Sequence, residues 1–160
     1  MVRVHPPRPV FATIIRWFKY ATQMDDSHHV RLVFISHSGK DTWVAKQIAQ
    51  RVSDCGATPF LDKAGIDIGA DFEETILAFL QKADEFVVVL TPWALDRPYV
   101  WVEAGVAWMR HIPVIALLLG FTPDDVQAHP RVPVSIKKTN LIELDNLDVY
   151  LDELRLRAAE

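Results

Sequence analysis

Several short segments of this chain are hydrophobic at every position instead of at every second one. Residues 85–90 read Glu-Phe-Val-Val-Val-Leu, and residues 113–119 are apolar throughout. A strand with one face in water alternates polar and apolar side chains, so a run without alternation indicates burial on both faces. Such strands are typical of a parallel sheet whose two faces are covered by helices.

Three further strands and four helices complete the predicted pattern. The strands are expected at 31–36, 58–61 and 140–144, and the helices from about 41 to 55, 71 to 83, 99 to 111 and 147 to 158. Gly56 is placed to cap the first of these helices. Right-handed crossovers between parallel strands favour an open, doubly wound α/β sheet. Ligands bind at the carboxyl ends of such strands, so the loops after Ser36, Asp62 and Leu90 are the expected site.

Composition excludes several classes of function. The chain has 17 basic and 21 acidic residues, which gives a net charge of −4. It therefore lacks the broad positive field of a nucleic-acid-binding protein. The single cysteine, Cys55, can form neither an internal disulfide nor a cysteine-based metal site, which favours a reducing cytoplasm. The histidines lack ligand spacing, so no metal is expected. The longest apolar run, 112–121, is too short to span a bilayer, so no stable membrane insertion is expected.

The first 29 residues differ in character from the rest, and we divide the chain into an arm (1–29) and a domain (30–160). Apolar side chains of the arm recur at helical spacing, with Arg16 and Lys19 on another face. These apolar residues are Phe11, Ile14, Ile15 and Phe18. We expect a helix here that packs on its own domain or on a second subunit. A membrane-surface helix is a weaker alternative, since two charges attract lipid poorly.

The predicted helix 99–111 contains one acidic residue, Glu103, among apolar side chains. Its carboxylate lies either at a rim or partly out of water, and loss of water would raise its pKa. A solvent-facing glutamate on an otherwise buried helix is the alternative. The glycine-rich Gly-x-Gly-x-x-Gly motif of dinucleotide-binding proteins does not follow the first strand. Gly39-Lys40 is not part of a phosphate loop either, because the required earlier glycine and the following hydroxyl residue are missing.

Four segments in order carry a family resemblance. They are Phe34–Ser38 with Lys40-Asp41, Phe60–Asp62 with the loop Gly65–Gly69, Val87–Trp93, and Pro98–Glu103. Over about residues 30–160 the chain resembles a bacterial Toll/interleukin-1 receptor (TIR) domain of the NAD+-cleaving type. The resemblance implies a flavodoxin-like open sheet of five parallel strands with helices on both faces.

The resemblance implies either an enzyme or an interaction module. As an enzyme, the chain would be an NAD+ nucleosidase that yields nicotinamide with ADP-ribose or a cyclic isomer, with Glu103 catalytic and NAD+ as substrate, not cofactor. Because the nicotinamide of NAD+ is already a cationic pyridinium and becomes neutral as it leaves, it needs no general acid. One carboxylate then suffices where ordinary glycosidases use two. The alternatives are a non-catalytic TIR–TIR signalling module or host-mimicking effector, and an enzyme like nucleoside deoxyribosyltransferases.

Other positions take expected roles from the same resemblance. Substrate-binding roles fall to His37, Ser38, Phe60, Asp62, Trp93, Tyr99 and Trp101. For Trp93 and Trp101, packing in the core is an equal alternative to lining the site. Tyr99 stands where catalytic bacterial members often have tryptophan, and aromatic residues near the glutamate would influence the choice of product. Asp41 is expected to cap the first helix with its carboxylate, and Lys40 to be a surface lysine or to attract a diphosphate.

The resemblance also implies assembly. Active members stack so that the BB loop of one subunit, here residues 63–70, completes the site of its neighbour. The expected assembly residues are Lys63, Gly65, Ile66 and Gly69. By analogy, the chain would act in bacterial antiviral signalling in the cytoplasm, with an activating or downstream defence protein as partner.

Overall fold

The computed structural model describes residues 29–61 and 70–160. The strands are β1 (Leu32–Ser36), β2 (Thr58–Leu61), β3 (Glu85–Leu90), β4 (Val114–Leu118) and β5 (Asn140–Glu143). The helices are α1 (Thr42–Asp54), α2 (Ala70–Lys82), α3 (Pro98–Met109), α4 (Pro123–Ala128), α5 (Val134–Lys137) and α6 (Leu147–Ala158). The predicted arm up to residue 28 lies outside the described residues.

The five strands form one parallel sheet in the order β2-β1-β3-β4-β5, which confirms the predicted fold. Leaving β1, the chain first turns to β2 at one edge and then returns to β3 on the other side of β1. The order therefore reverses between β1 and β3, where Ser36 is in register with Val88. In open α/β sheets, ligands bind at the carboxyl ends of the strands that flank this switch point.

Burial on both faces explains the continuous apolar strands. All six residues of β3 are buried, and successive side chains point to opposite faces of the sheet. On one face Phe34, Phe86 and Val88 pack with α2 and α3. On the other face, Val33 and Val87 belong to the core that includes α1 and α6.

From residue 30 on, the predicted strands and long helices are present, and their ends differ from the prediction by at most two residues. Gly56 has a φ of 88° directly after α1, in the left-handed conformation that glycine adopts readily, and its N–H bonds to the Ser53 carbonyl at 2.9 Å. Two short helices, α4 and α5, were not predicted. None of the helices in the described ranges is long and apolar enough to cross a bilayer.

A charged network anchors α6 beneath the sheet, at the amino end of β3. The buried Glu85 carboxylate accepts a hydrogen bond from the Tyr150 hydroxyl at 2.9 Å and from Arg157 Nε at 2.8 Å. Arg31 Nε lies 3.3 Å from the same carboxylate. Burial raises the pKa of Tyr150, and the nearby Glu85 charge raises it further. Because this cluster lies at the end of the sheet opposite the switch point, we assign it a structural role.

Candidate functional site

Buried polar side chains concentrate at the carboxyl ends of β1 and β3. The described part of the chain buries seven polar or charged side chains. All except Glu85 belong to this region: Ser36, His37, Ser38, Asp41, Thr91 and Glu103. Polar groups are costly to bury unless they are paired, so their accumulation at the switch point makes this region the candidate site.

Glu103 lies at the centre of this region and is only 2% exposed. It occupies the second turn of α3, and its Oε2 accepts a hydrogen bond from the Ser36 hydroxyl at 2.5 Å. Ser36 is the last residue of β1, so the contact holds the carboxylate at the carboxyl end of the central strands. The alternative of a solvent-facing glutamate is therefore wrong.

A second buried carboxylate, Asp41, joins the loops that follow β1 and β3. Its Oδ2 accepts a hydrogen bond from the Thr91 hydroxyl at 2.6 Å. The Thr91 hydroxyl in turn accepts from the Ala94 backbone N–H at 3.2 Å. The prediction that the Asp41 side chain caps the first helix is wrong, because Asp41 stands at the cap position of α1 but makes no capping hydrogen bond. Its carboxylate turns toward β3, where it has a buried donor.

The loop between β1 and α1 begins with two buried residues, His37 and Ser38. The Ser38 hydroxyl accepts from the backbone N–H of Lys40 at 3.3 Å, which caps the short 3₁₀ turn Gly39–Asp41. Both residues thus lie beside the carboxyl end of β1, as expected. Their contacts with substrate remain a prediction.

Lys40 and Trp93 form a pair at the rim of this region. The Lys40 ammonium lies 5.7 Å from the centre of the Trp93 ring, within the range of a cation–π contact. Trp93 is about half exposed and Lys40 is exposed. The loop after β1 thus supplies a cation and the loop after β3 an aromatic surface.

The two other aromatic candidates on α3 differ in their surroundings. Tyr99 lies one turn before Glu103 and is 37% exposed. Trp101 is half-buried against the core, and its indole N–H lies 3.4 Å from the Leu95 carbonyl oxygen. The position of Trp101 favours its alternative role in packing.

Phe60 also lies among core side chains. Its ring stacks on that of Phe79 with centroids 3.8 Å apart and tilts against Phe34 at 5.3 Å. A role for Phe60 at the substrate stays a prediction. Asp62 and the predicted assembly residues Lys63, Gly65, Ile66 and Gly69 lie outside the described residues.

A separate cavity of about 270 Å³ lies beside the carboxyl ends of β4 and β5. Its lining includes Thr122, Asp125 and Glu143 but not Glu103. The Asp125 carboxylate is committed to the cap of α4, where hydrogen bonds from Thr122 lower its pKa. Within the described ranges, no group of three or more His, Cys, Asp or Glu side chains could hold a metal ion.

Sequence reasoning missed Ser36 and Thr91 as members of the site. Each is a hydroxyl residue at the end of an otherwise apolar segment, Ser36 ending β1 and Thr91 directly following β3. A hydroxyl at the carboxyl end of a buried strand beside the switch point is the signal that would have identified them. Their partners, Glu103 and Asp41, follow only from the three-dimensional arrangement.

This fold and site define a class: a doubly wound α/β protein with a buried carboxylate at its topological switch point. The family follows from sequence. The TIR domain family model matches residues 33–154, and the chain belongs to the TIR domain family. No functionally curated protein matches the chain.

Solved structures resemble the chain at low sequence identity. The TIR domains of the activated Roq1 resistosome, which recognises the pathogen effector XopQ, match with a TM-score of 0.53 at 17% identity, covering 81% of this chain and 83% of theirs. The sugar isomerase domain of an RpiR transcription factor from Sphaerobacter thermophilus matches with a TM-score of 0.47 at 14% identity, covering 94% of this chain and 87% of the other. At these identities the Roq1 match supports the fold alone.

Proposed function

We propose that this chain cleaves NAD+ between nicotinamide and ribose, giving nicotinamide and either ADP-ribose or a cyclic ADP-ribose isomer. The observation that carries the proposal is the buried Glu103 carboxylate, held by Ser36 at 2.5 Å beside the switch point. Open α/β sheets bind nucleotides at this place. Membership of the TIR domain family supports the choice of NAD+ as the proposed substrate.

A single carboxylate is sufficient for this reaction. When the bond between ribose C1′ and the pyridinium nitrogen breaks, its electron pair neutralises nicotinamide, so the leaving group needs no proton. The ribose then carries positive charge shared by C1′ and the ring oxygen. A preorganised anion in a site poor in water stabilises that charge strongly. We assign this role to Glu103.

The second half of the reaction decides the product. Attack of water on C1′, with loss of one proton to solvent, gives ADP-ribose. Attack by a nucleophilic atom of the same molecule, on the adenine or a ribose, adds no water and gives a cyclic ADP-ribose. We propose that the aromatic residues near Glu103, Tyr99 above all, influence this competition, since an aromatic ring can hold a base by stacking.

The rim pair offers groups suited to the rest of the substrate. The Lys40 ammonium matches the charge of a diphosphate, and the half-exposed Trp93 ring offers a stacking surface. We propose that both contact NAD+, together with the loop residues His37 and Ser38.

We further propose self-association and a signalling role in antiviral defence, activated by or acting on another protein. The TIR domains that resemble this chain were solved within an activated resistosome, and we extend TIR–TIR contact to this chain through residues 63–70. A non-catalytic signalling module that uses the same contacts is the second candidate, which the same likeness favours.

Product identification separates these candidates. Purified protein at high concentration is incubated with NAD+, and every product is identified by chromatography and mass spectrometry. We expect nicotinamide together with either ADP-ribose or a cyclic ADP-ribose, which is lighter than ADP-ribose by one water. Intact NAD+, combined with self-association that Ile66→Asp abolishes, would instead support the non-catalytic module.

A further inference from the structure

The solvent side of α3 is an apolar surface. Val102, Trp108 and Met109 are 58%, 60% and 74% exposed. Val102 and Met109 share one helix face at i and i+7, and Trp108 flanks that face. We call these three residues the α3 outer face. The sole charged residue of α3, Glu103, is buried on the opposite side. Single exposed apolar residues are ordinary, but a contiguous set along one helix marks an interaction surface.

The arm carries an apolar stripe of matching form. Phe11, Ile14, Ile15 and Phe18 recur at i, i+3, i+4 and i+7, the spacing of one helix face. As a helix, residues 11–21 would be about 16 Å long, and α3, with its 12 residues, is about 18 Å long. The two apolar surfaces are therefore similar in length.

The described chain begins close to the carboxyl end of α3. His29 Nε2 lies 2.9 Å from the carboxylate of Asp84, in the turn between α2 and β3. Arg110, directly after α3, donates a hydrogen bond to the Gln81 carbonyl near the end of α2 at 3.0 Å. Asp84 and Gln81 are three residues apart, so His29 lies on the same side of the domain as Arg110, which directly follows α3.

The linker is long enough to connect these places. Residues 22–28, fully extended, span about 23 Å, which exceeds the length of α3. The linker contains Asp25 and Asp26, whereas Arg110 and His111 are exposed at the end of α3. Attraction between these opposite charges favours a linker that runs beside the end of α3.

We propose that residues 11–21 form a helix whose apolar stripe packs on the α3 outer face of the same chain. A second copy could offer the same stripe, but a short linker gives the chain's own arm a high effective concentration. Arg16 and Lys19 then remain on another face. The proposal goes beyond the NAD+ activity and does not depend on it.

Paramagnetic relaxation in the full chain tests the contact. A nitroxide is attached to Thr13→Cys, outside the apolar stripe, in a Cys55→Ala background, because Cys55 is the only other thiol. We expect attenuated methyl signals of Val102 and Met109. The matched reference is Leu156, 72% exposed on α6 at the opposite face of the sheet, which should keep its signal.

Two arm variants and a mixing experiment decide the outcome. Phe18→Asp should abolish the attenuation, whereas Gln23→Asp, with the same charge outside the stripe, should leave it. In the unlabelled chain with Cys55 intact, Phe18→Asp should shift the Val102 and Met109 signals. The proposal would be overturned by equal attenuation at Leu156 or by attenuation that survives Phe18→Asp. It would also be overturned if attenuation occurred only between a labelled chain and a separate isotope-enriched chain. Binding of the arm to lipid vesicles, without attenuation at Val102 and Met109, would overturn the proposal as well.

Discussion

The Ser36 hydroxyl donates a 2.5 Å hydrogen bond to Glu103, a residue 67 positions later in the chain. Both side chains are buried, with exposed fractions of 0% and 2%. The bond joins the end of β1 to the second turn of α3 across the switch point. The central strand of the sheet, not a surface loop, therefore orients the carboxylate that we assign to catalysis.

Replacing Ser36 by alanine removes this bond while keeping the Glu103 charge. We expect kcat for nicotinamide release to fall about tenfold, because misorientation that costs about 1.4 kcal/mol in the transition state has that effect. Steady-state kinetics measure the change. Ser53→Ala, which removes an exposed hydroxyl near the end of α1, is the control. An unchanged kcat in Ser36→Ala would remove Ser36 from the site.

We predict that the Asp41–Thr91 hydrogen bond stabilises the folded chain. Thr91→Val keeps the shape but removes the hydroxyl that bonds a carboxylate only 2% exposed. Loss of a hydrogen bond to a charged, buried group costs about 2 kcal/mol, so urea should unfold the variant at lower concentration. Thr91→Ser retains the donor and should stay close to the original chain. Equal losses in both variants would show that the methyl group, not the hydroxyl, matters.

The rim lysine makes a prediction about substrate affinity. If Lys40 attracts the diphosphate of NAD+, Lys40→Gln should raise KM several-fold at low salt with little change in kcat. The difference should shrink as salt screens the charge. Lys46→Gln, an exposed lysine on α1, is the control. A KM that depends on neither salt nor the Lys40 charge would contradict the assignment.

The Glu85 network makes a prediction about pH. Burial and the Glu85 charge raise the pKa of Tyr150 above its usual 10.0. Above that pH the unfolded chain loses the phenolic proton while the folded chain keeps it, so the free energy of unfolding falls as pH rises. Denaturant titrations between pH 9 and about 11 measure the slope. Tyr150→Phe should be less stable at neutral pH and should show a shallower decline; an identical slope would place the titration elsewhere.

Most of the sheet could be predicted because its strands are short apolar runs that differ sharply from their surroundings. The bounds of β2 and β3 follow directly from residues 58–61 and 85–90. The short helix α4 was missed because six residues give little periodicity. Its local signal is the capping box in which Thr122 and Asp125 exchange hydrogen bonds.

The site was predicted only in part. Glu103 was recognisable as the one acid in an apolar helix, and the family resemblance supported it. Its partner Ser36 was not recognised, because a contact across 67 positions depends on which strands become neighbours. Asp41 was misjudged for the same reason: local sequence suggests a cap, while the fold supplies a better donor in Thr91.

Nicotinamide release by Glu103→Gln tests the central claim most directly. Glutamine keeps the size of the side chain and can still accept from Ser36, but it lacks the negative charge. The account predicts that kcat falls at least about 100-fold while the thermal unfolding midpoint changes little. Glu143→Gln, at the exposed end of β5, should retain full activity. Release at the original rate by folded Glu103→Gln would contradict the account.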